Sequence, residues 1–550
     1  MERDLRLDIH VALVSLVLSF VACSGGGGST TPSALTTPTP PPTATPSAGP
    51  SLEAISIDAR SPALATVNKD VFGAVLSNSM ALTSSSTYVA MMTALRTVHV
   101  GLARWPSSVT SDYYHWQSNS FSSCAVSKYG LASNTSFDQF MQQIAQPLGV
   151  DVAIDVNYGS NPNCTSGADP NEAAAWVDYA NNQMGYGVKY WSIGSEQYFG
   201  SPTLGPTVTT PDFNVTPSTS GPAAAATYAS LVATQFYPLM KAQDPTIQVG
   251  VDLAVPYNDA STRASAWDST VLGSAKYDFV TVHWYANDPG NVAISDNALL
   301  TSGISFFSTT IAKTRAELAN AGKPNTPIYV GEWGVPGPAA GTDQDTTIVG
   351  ALFTAGAWGE LVKAGVGLAA PFQAFENDCF PATSGYYTQQ NWYSSSLFMA
   401  FPSSTNPECP SAVMPPVGTV LPRGNAMLVV EQAFNPGDTV FAPTVGSSLS
   451  TVKAYAARRG TGYGVLLINI DENNAVTTTL GIINDARSFT ATSLVYGKAQ
   501  YDNSQTNVWT APVSQSLGTV TDAVPIALPP WSVTAITLAS TTTLSHKHAP

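Results

Sequence analysis

Two glutamates close apolar β runs: Lys189-Tyr-Trp-Ser-Ile-Gly-Ser-Glu196-Gln197 and Ile328-Tyr-Val-Gly-Glu332-Trp333-Gly334. Charged residues make up only 11% of this chain, against roughly 25% in an average soluble domain. A carboxylate directly after an apolar strand is therefore unfavourable unless it is paired or has a chemical role. Two such groups can divide acid/base and nucleophilic work if their surroundings push their pKa values apart. His283 follows a third run, Val280-Thr-Val, and Arg104 lies within a fourth, Leu102-Ala-Arg-Trp. Neither a CxxC nor a His/Cys spacing that suits zinc occurs, and His99, His115 and His283 form no ligand cluster in sequence. No metal or cofactor is expected.

Elements of a particular kind are needed to bring these groups together. Short β-branched runs alternate with amphipathic, Ala-rich stretches, the pattern of βα units on a parallel sheet. Strands are predicted at Val71 to Asn78, His99 to Pro106, Val150 to Gly159, Val188 to Gln197, Ile247 to Pro256, Tyr277 to Ala286, Pro327 to Gly334 and Val366 to Gln373. Helical patterns lie between them at Thr87 to Val98, Phe137 to Leu148, Asn171 to Met184, Ala223 to Ala242, Phe306 to Ala321 and Thr347 to Ala364. Eight units predict an α/β chain with a (β/α)8 TIM barrel over 51–415, whose chemistry belongs at the C-terminal ends of the strands. After Pro415 short β runs without helical periods predict a β-sandwich over 416–540, and Glu53-Ala-Ile-Ser-Ile-Asp, within 51–68, can return to pair with it. The tail 541–550 reads as disordered.

The net charge of −15 and pI near 4.7 are the opposite of a phosphate-binding footprint, so nucleic acid is excluded as a partner. The one strong apolar run, Val11 to Ala22, is too short to span a membrane comfortably and suits the core of a signal peptide over 1–22. Phe20-Val-Ala-Cys23 resembles a bacterial lipobox, which implies lipidation of Cys23 and a cell-surface or extracellular location. The Gly-rich, then Thr/Pro/Ser-rich stretch that completes 23–50 has the composition of an extended spacer. Four cysteines remain in an oxidising compartment: Cys124, Cys164, Cys379 and Cys409. Two disulfides are expected, with proximity favouring Cys124–Cys164 and Cys379–Cys409.

The strand-end segments resemble the retaining glycoside hydrolases of clan A. Tyr190-Trp-Ser-Ile-Gly-Ser-Glu-Gln-Tyr is similar to the clan's W-x-I-G-N-E segment, and Val330-Gly-Glu-Trp-Gly to its nucleophile segment. Leu102-Ala-Arg-Trp-Pro-Ser-Ser with Asp112-Tyr-Tyr-His-Trp116 resembles a stretch of α-L-arabinofuranosidase-like and β-glucuronidase/heparanase-like enzymes. The sequence departs from the pattern at Ser195, where the clan has an Asn that binds the sugar 2-hydroxyl, and at Ser107-Ser108 in place of Gly-Gly.

The resemblance implies a carbohydrate substrate, Glu332 as nucleophile and Glu196 as acid/base. Arg104 and Tyr285 would keep Glu332 ionised, and His283 would orient it. Trp105, Tyr158, Trp284 and Trp333 can stack on sugar or close the barrel top; Asn157 can bind substrate or hold a loop. Asp112 to Trp116 is expected to stabilise its own loop, and Glu172 and Asp178 to lie on a solvated helix face. The substrate favoured is an α-L-arabinofuranoside, with β-glucuronidase or β-xylosidase activity as the alternative within the clan. A tethered carbohydrate-binding protein that has lost turnover is the alternative outside catalysis.

Overall fold

The computed structural model describes residues 54–77, 85–106, 109–129, 131–199, 221–256, 266–286, 294–335, 344, 347–375, 416–504 and 508–541. The expected signal peptide, Cys23, the spacer, Cys379, Cys409 and the tail beyond 541 lie outside them.

Eight parallel strands follow one another around a barrel: Gly73–Val75, Leu102–Trp105, Asp151–Val156, Tyr190–Ile193, Gln248–Asp252, Phe279–Tyr285, Ile328–Gly334 and Leu368–Pro371. Here they are called barrel strands one to eight. Each falls within its expected run. Strand one returns to strand eight through Ala374, whose backbone N–H donates to Val75 O at 3.0 Å. Side chains alternate in and out along each strand. Leu102, Tyr190, Phe279, Tyr329 and Leu368 fill the barrel interior, while Ala103, Trp191, Val280 and Val330 face the surrounding helices.

The six expected helical stretches are all present, and a further helix, Trp267–Ser274, lies between strands five and six. Helix Ile348–Lys363 is buried along almost its whole length. It lies between the barrel and a C-terminal layer that begins with another helix, Pro422–Ala433, where strands were expected. Arg423 of that helix is buried and donates to Phe372 O at the end of strand eight (3.0 Å), which ties the layer to the barrel.

Beyond that helix stand two sheets. The seven-stranded sheet runs Val513–Val520, Phe489–Gly497, Ser532–Ser540, Gly462–Asn469, Val452–Arg459, Thr439–Phe441, Ala65–Thr66. The four-stranded sheet runs Thr444–Val445, Ala54–Asp58, Val476–Ile483, Ala523–Leu528. Ile55, Ile57, Leu480 and Ile526 meet Val465, Leu467, Ile536 and Leu538 between the sheets. The opposite face of the larger sheet, with Leu466, Ile468, Val533 and Ala535, joins the barrel's core. Burial on both faces accounts for the unbroken apolar run Val465 to Ile468. The chain thus gives one strand to each sheet before it enters the barrel.

Cys124, in helix Ser123–Tyr129, is bonded to Cys164 in the loop after strand three, with Cα atoms 6.0 Å apart.

Candidate active site

Five strand ends, of strands two, three, four, six and seven, meet at the C-terminal mouth of the barrel. Arg104 of strand two points inward, fully buried, and donates from Nη1 to Glu332 Oε1 at 2.6 Å. Its Nε faces Asp155 of strand three at 2.8 Å, and its Nη2 donates to Ser195 Oγ at 3.2 Å. Tyr285 of strand six donates its hydroxyl to Glu332 Oε2 at 2.9 Å. His283, also of strand six, places Nδ1 3.0 Å from Glu196 Oε1 and 3.8 Å from Glu332 Oε2.

Glu332 faces the barrel interior because strand seven is irregular. Tyr329 points in and Val330 out, so strict alternation would turn Glu332 outward. Its register against strand six shifts after Val330, so that Val330 pairs with Val282 but Glu332 with His283. The extra residue is Gly331, a β-bulge that re-aims the next side chain. A Cβ there would lie 2.9 Å from Thr281 Cγ2 and 3.1 Å from His283 Nε2, so the bulge needs glycine.

The two carboxylates sit in different settings. Burial alone would raise the pKa of Glu332, but the charges of His283 and Arg104, with hydrogen bonds from Arg104 and Tyr285, bring it down to about 2. These partners hold Glu332 in its ionised form. Glu196 lies at the rim with its side chain 14% exposed, and at least one oxygen of each carboxylate lies within 4.8 Å of the other group. Burial works against a charge on His283, yet Glu332 and Glu196 outweigh it and raise its pKa. Beneath these groups burial pushes Asp155 up to about 7 and Asp252 of strand five up to about 8. Arg104 and His283 thus face a crowded set of buried carboxyls.

Glu196 is carried on a tight left-handed turn, with φ of 75° at Gly194 and 58° at Glu196 itself. A Cβ at Gly194 would lie 2.7 Å from Gln197 Nε2, so this position too requires glycine. Ser195, where the resemblance led one to expect Asn, has its hydroxyl bound by Arg104 and is buried.

The remaining expected residues take other places. Trp105, Trp284 and Trp333 are fully buried and face outward, alternating with the inward Arg104, His283 and Glu332. Trp105 stacks on Phe140 at 5.2 Å; Trp284 and Trp333 meet Phe307 at 6.2 and 5.7 Å, and Trp333 meets Trp358 at 5.0 Å. Tyr158 packs on Tyr228 at 4.9 Å. These rings are core, and none presents a face at the mouth. Asn157 holds its own loop, donating to Ser160 O at 2.9 Å. Glu172 is not simply solvated: it faces buried His115 at 2.9 Å and is 18% exposed. Asp178 stays on the outside, bound by Asn182 and Gln183.

Asp112, expected to stabilise only its own loop, also reaches the backbone beside Glu196. Asp155 and Asp252, buried on strands three and five, were not singled out in the sequence. Gln373, at the end of strand eight, is buried, and its Oε1 has no hydrogen-bond partner among the described residues. The inward register of Asp155 and Asp252 was the available signal, since both lie within apolar strands. Among the described residues Glu196, His283 and Glu332 are the one group spaced to hold a metal ion. Arg104 already neutralises Glu332 there, so the trio has its counter-charge from the chain itself.

No protein-family model and no curated protein sequence matches this chain. Solved structures do. The α-L-arabinofuranosidase of Thermotoga maritima, in complex with arabinose, superposes with a TM-score of 0.61 at 14% identity, covering 88% of this chain and 99% of that one. A family 51 α-L-arabinofuranosidase from Bifidobacterium longum gives 0.62 at 16% identity over the same shares. A family 44 xyloglucanase from Paenibacillus polymyxa gives 0.55 at 13% identity, covering 89% of this chain and 100% of that one. The likeness is one of fold, and it spans barrel and sandwich together.

Proposed function

We propose that the protein is a retaining glycoside hydrolase. The observation that carries this reading is the approach of Glu196 and Glu332 to within 4.8 Å across the barrel mouth, with Glu332 held as an anion. Carboxyl groups about 5–5.5 Å apart suit double displacement, because no water fits between the inverting face and the carboxylate. Glu332 attacks the anomeric carbon while the bond to the leaving oxygen breaks and Glu196 gives that oxygen its proton. Water then attacks the same carbon, losing a proton to Glu196 as the bond to Glu332 breaks. Arg104 and Tyr285 hold the nucleophile in place through separate oxygens.

The favoured substrate is an α-L-arabinofuranoside, supported by the segments of strands two to four and by the names of the arabinofuranosidases that share the fold. A uronidase needs a cation for the sugar carboxylate, whereas Arg104 is already engaged by Glu332 and Asp155. Loss of turnover is disfavoured because Ser195 leaves the carboxylate pair assembled and is itself bound by Arg104. The lipobox-like Cys23 and the spacer after it support display on the outer face of a cell envelope.

A panel of aryl glycosides, with arabinoxylan and pectic arabinan alongside, tests the reading on the purified chain lacking residues 1–50. Hydrolysis with retention of anomeric configuration by NMR is expected. Inversion, or binding of the polysaccharides without hydrolysis of any of them, overturns it.

A further inference from the structure

We infer that Asp112 is the positioning residue for the acid/base: one buried carboxylate, borrowed from the loop after strand two, fixes the backbone on which Glu196 stands. The inference rests on the glycosidase reading for the role of Glu196, but the clamp itself is a matter of geometry.

A non-glycine residue with a φ of 58° is held in a sparsely populated conformation. Such a conformation persists only where the surroundings over-determine it, and Asp112 supplies that constraint on both sides of Glu196. Its Oδ2 accepts the Ser195 backbone N–H at 3.3 Å and the Gln197 side-chain Nε2 at 2.5 Å. Its Oδ1 accepts the Tyr158 N–H at 3.2 Å, and its own carbonyl accepts the Ser160 N–H at 3.2 Å. Asp112 is only 5% exposed, so these bonds are made where water offers little competition. Gly159 lies so close that an added Cβ would sit 2.6 Å from Asp112 O, which fixes the loop after strand three against it.

The Gln197 N–H is held in turn by Asp252 Oδ2 at 3.4 Å. Both neighbours of Glu196 in the chain are therefore pinned, one by Asp112 and the other by Asp112 and Asp252. Glu196 is left as the member of the turn whose side chain projects to the rim, where His283 meets it. Asp112 holds the residues on either side of Glu196, and acts by setting where the carboxyl group points.

Asp112→Asn keeps the shape but turns one acceptor into a donor facing two donors. Hydrogen exchange of the peptide covering 190–199 should quicken at least about tenfold in this variant, whatever the substrate of the protein. Turnover of a methyl glycoside should fall on the order of 100-fold, as misplacement of a catalytic group does. The 4-nitrophenyl glycoside of the same sugar, which needs little protonation, should lose several-fold at most in the glycosylation step, with KM unchanged. Gln197→Leu, which spares Asp112, should move both readouts the same way by less, and serves if Asp112→Asn does not fold.

Unchanged exchange at 190–199 in both variants overturns the clamp. Faster exchange with equal losses on both glycosides upholds the clamp and overturns the acid/base role of Glu196. An equal loss on both glycosides with a uniform rise in exchange across the barrel reduces Asp112 to a merely structural residue, and overturns the inference.

Discussion

Nδ1 of His283 lies 3.0 Å from Oε1 of Glu196, closer than the 3.8 Å that separates it from Glu332. His283 thus stands between the two carboxylates and shares a hydrogen bond with Glu196, the proposed acid/base, whereas the sequence led to the expectation that it orients Glu332. Its charge still acts on Glu332, where it is the first of the favourable influences that hold the carboxylate ionised.

Replacing that charge has a predictable sign. In His283→Asn a nearby cation is lost, so the pKa of Glu332 rises from about 2 and the acid limb of kcat/KM moves to higher pH, by roughly one unit. A pH–rate profile on an activated aryl glycoside reads the shift. An acid limb that stays in place would show that His283 is neutral in the working enzyme.

Arg104→Met should be far more damaging. It removes the partner of Glu332 and of Asp155 together, leaving two buried carboxyls without their cation. Breaking a buried pair costs about 3–5 kcal/mol, enough to take much of the stability of a typical domain. Thermal unfolding should show a drop of several degrees, with activity lost even where the protein stays folded. A variant as stable as the parent contradicts the buried network.

The two glutamates separate by leaving group. In Glu332→Gly no covalent intermediate forms, so turnover falls for every glycoside, and azide gives the inverted product. Glu196→Ala should still form the glycosyl-enzyme from a nitrophenyl glycoside and stall there, until azide, which needs no base, releases it with retention. The same anomer from both variants would refute the assignment of roles.

Stability should decline as pH rises from about 4 to 8. Asp155 and Asp252 keep protons up to about 7 and 8 in the folded chain because they are buried, whereas the unfolded chain releases them near the ordinary 3.8. Across that window the unfolded state binds fewer protons, so folding loses stability with each step upward. Glu332 acts oppositely and only at lower pH, its contribution being lost as pH falls from 4.5 through about 2. Tm against pH should therefore slope down from pH 5 to 8, and Asp252→Asn should flatten the slope. An unchanged slope in that variant refutes the role of Asp252.

The bridge between Cys124 and Cys164 closes a separation of 40 residues, long enough to constrain the unfolded chain by about 4 kcal/mol in the chain-entropy model. Mapping of the oxidised protein should show this pair linked, and the Cys124→Ser/Cys164→Ser variant should unfold at lower denaturant. Equal midpoints would contradict a stabilising bridge.

The sequence by itself determined the barrel. Apolar runs and helical periods are written over stretches of a few to twenty residues, and the eight strands and six helical stretches follow from them. It also determined that Glu196 and Glu332 end strands, because a carboxylate after an apolar run stands out in a chain with so little charge. Alternation alone would have turned Trp105 and Trp284 outward once Arg104 and His283 are taken as inward. Strand seven shows where that logic stops: the bulge at Gly331 reverses the phase, and a glycine in an apolar run does not say whether a bulge is there. Tertiary structure also decided that a helix, Pro422–Ala433, covers Ile348–Lys363, and that Ser195 binds Arg104. Above all it decided the reach of Asp112 to Ser195 and Gln197, across 83 and 85 residues. Such contacts depend on how three loops converge at one end of a closed barrel, and no periodicity along the chain encodes that meeting.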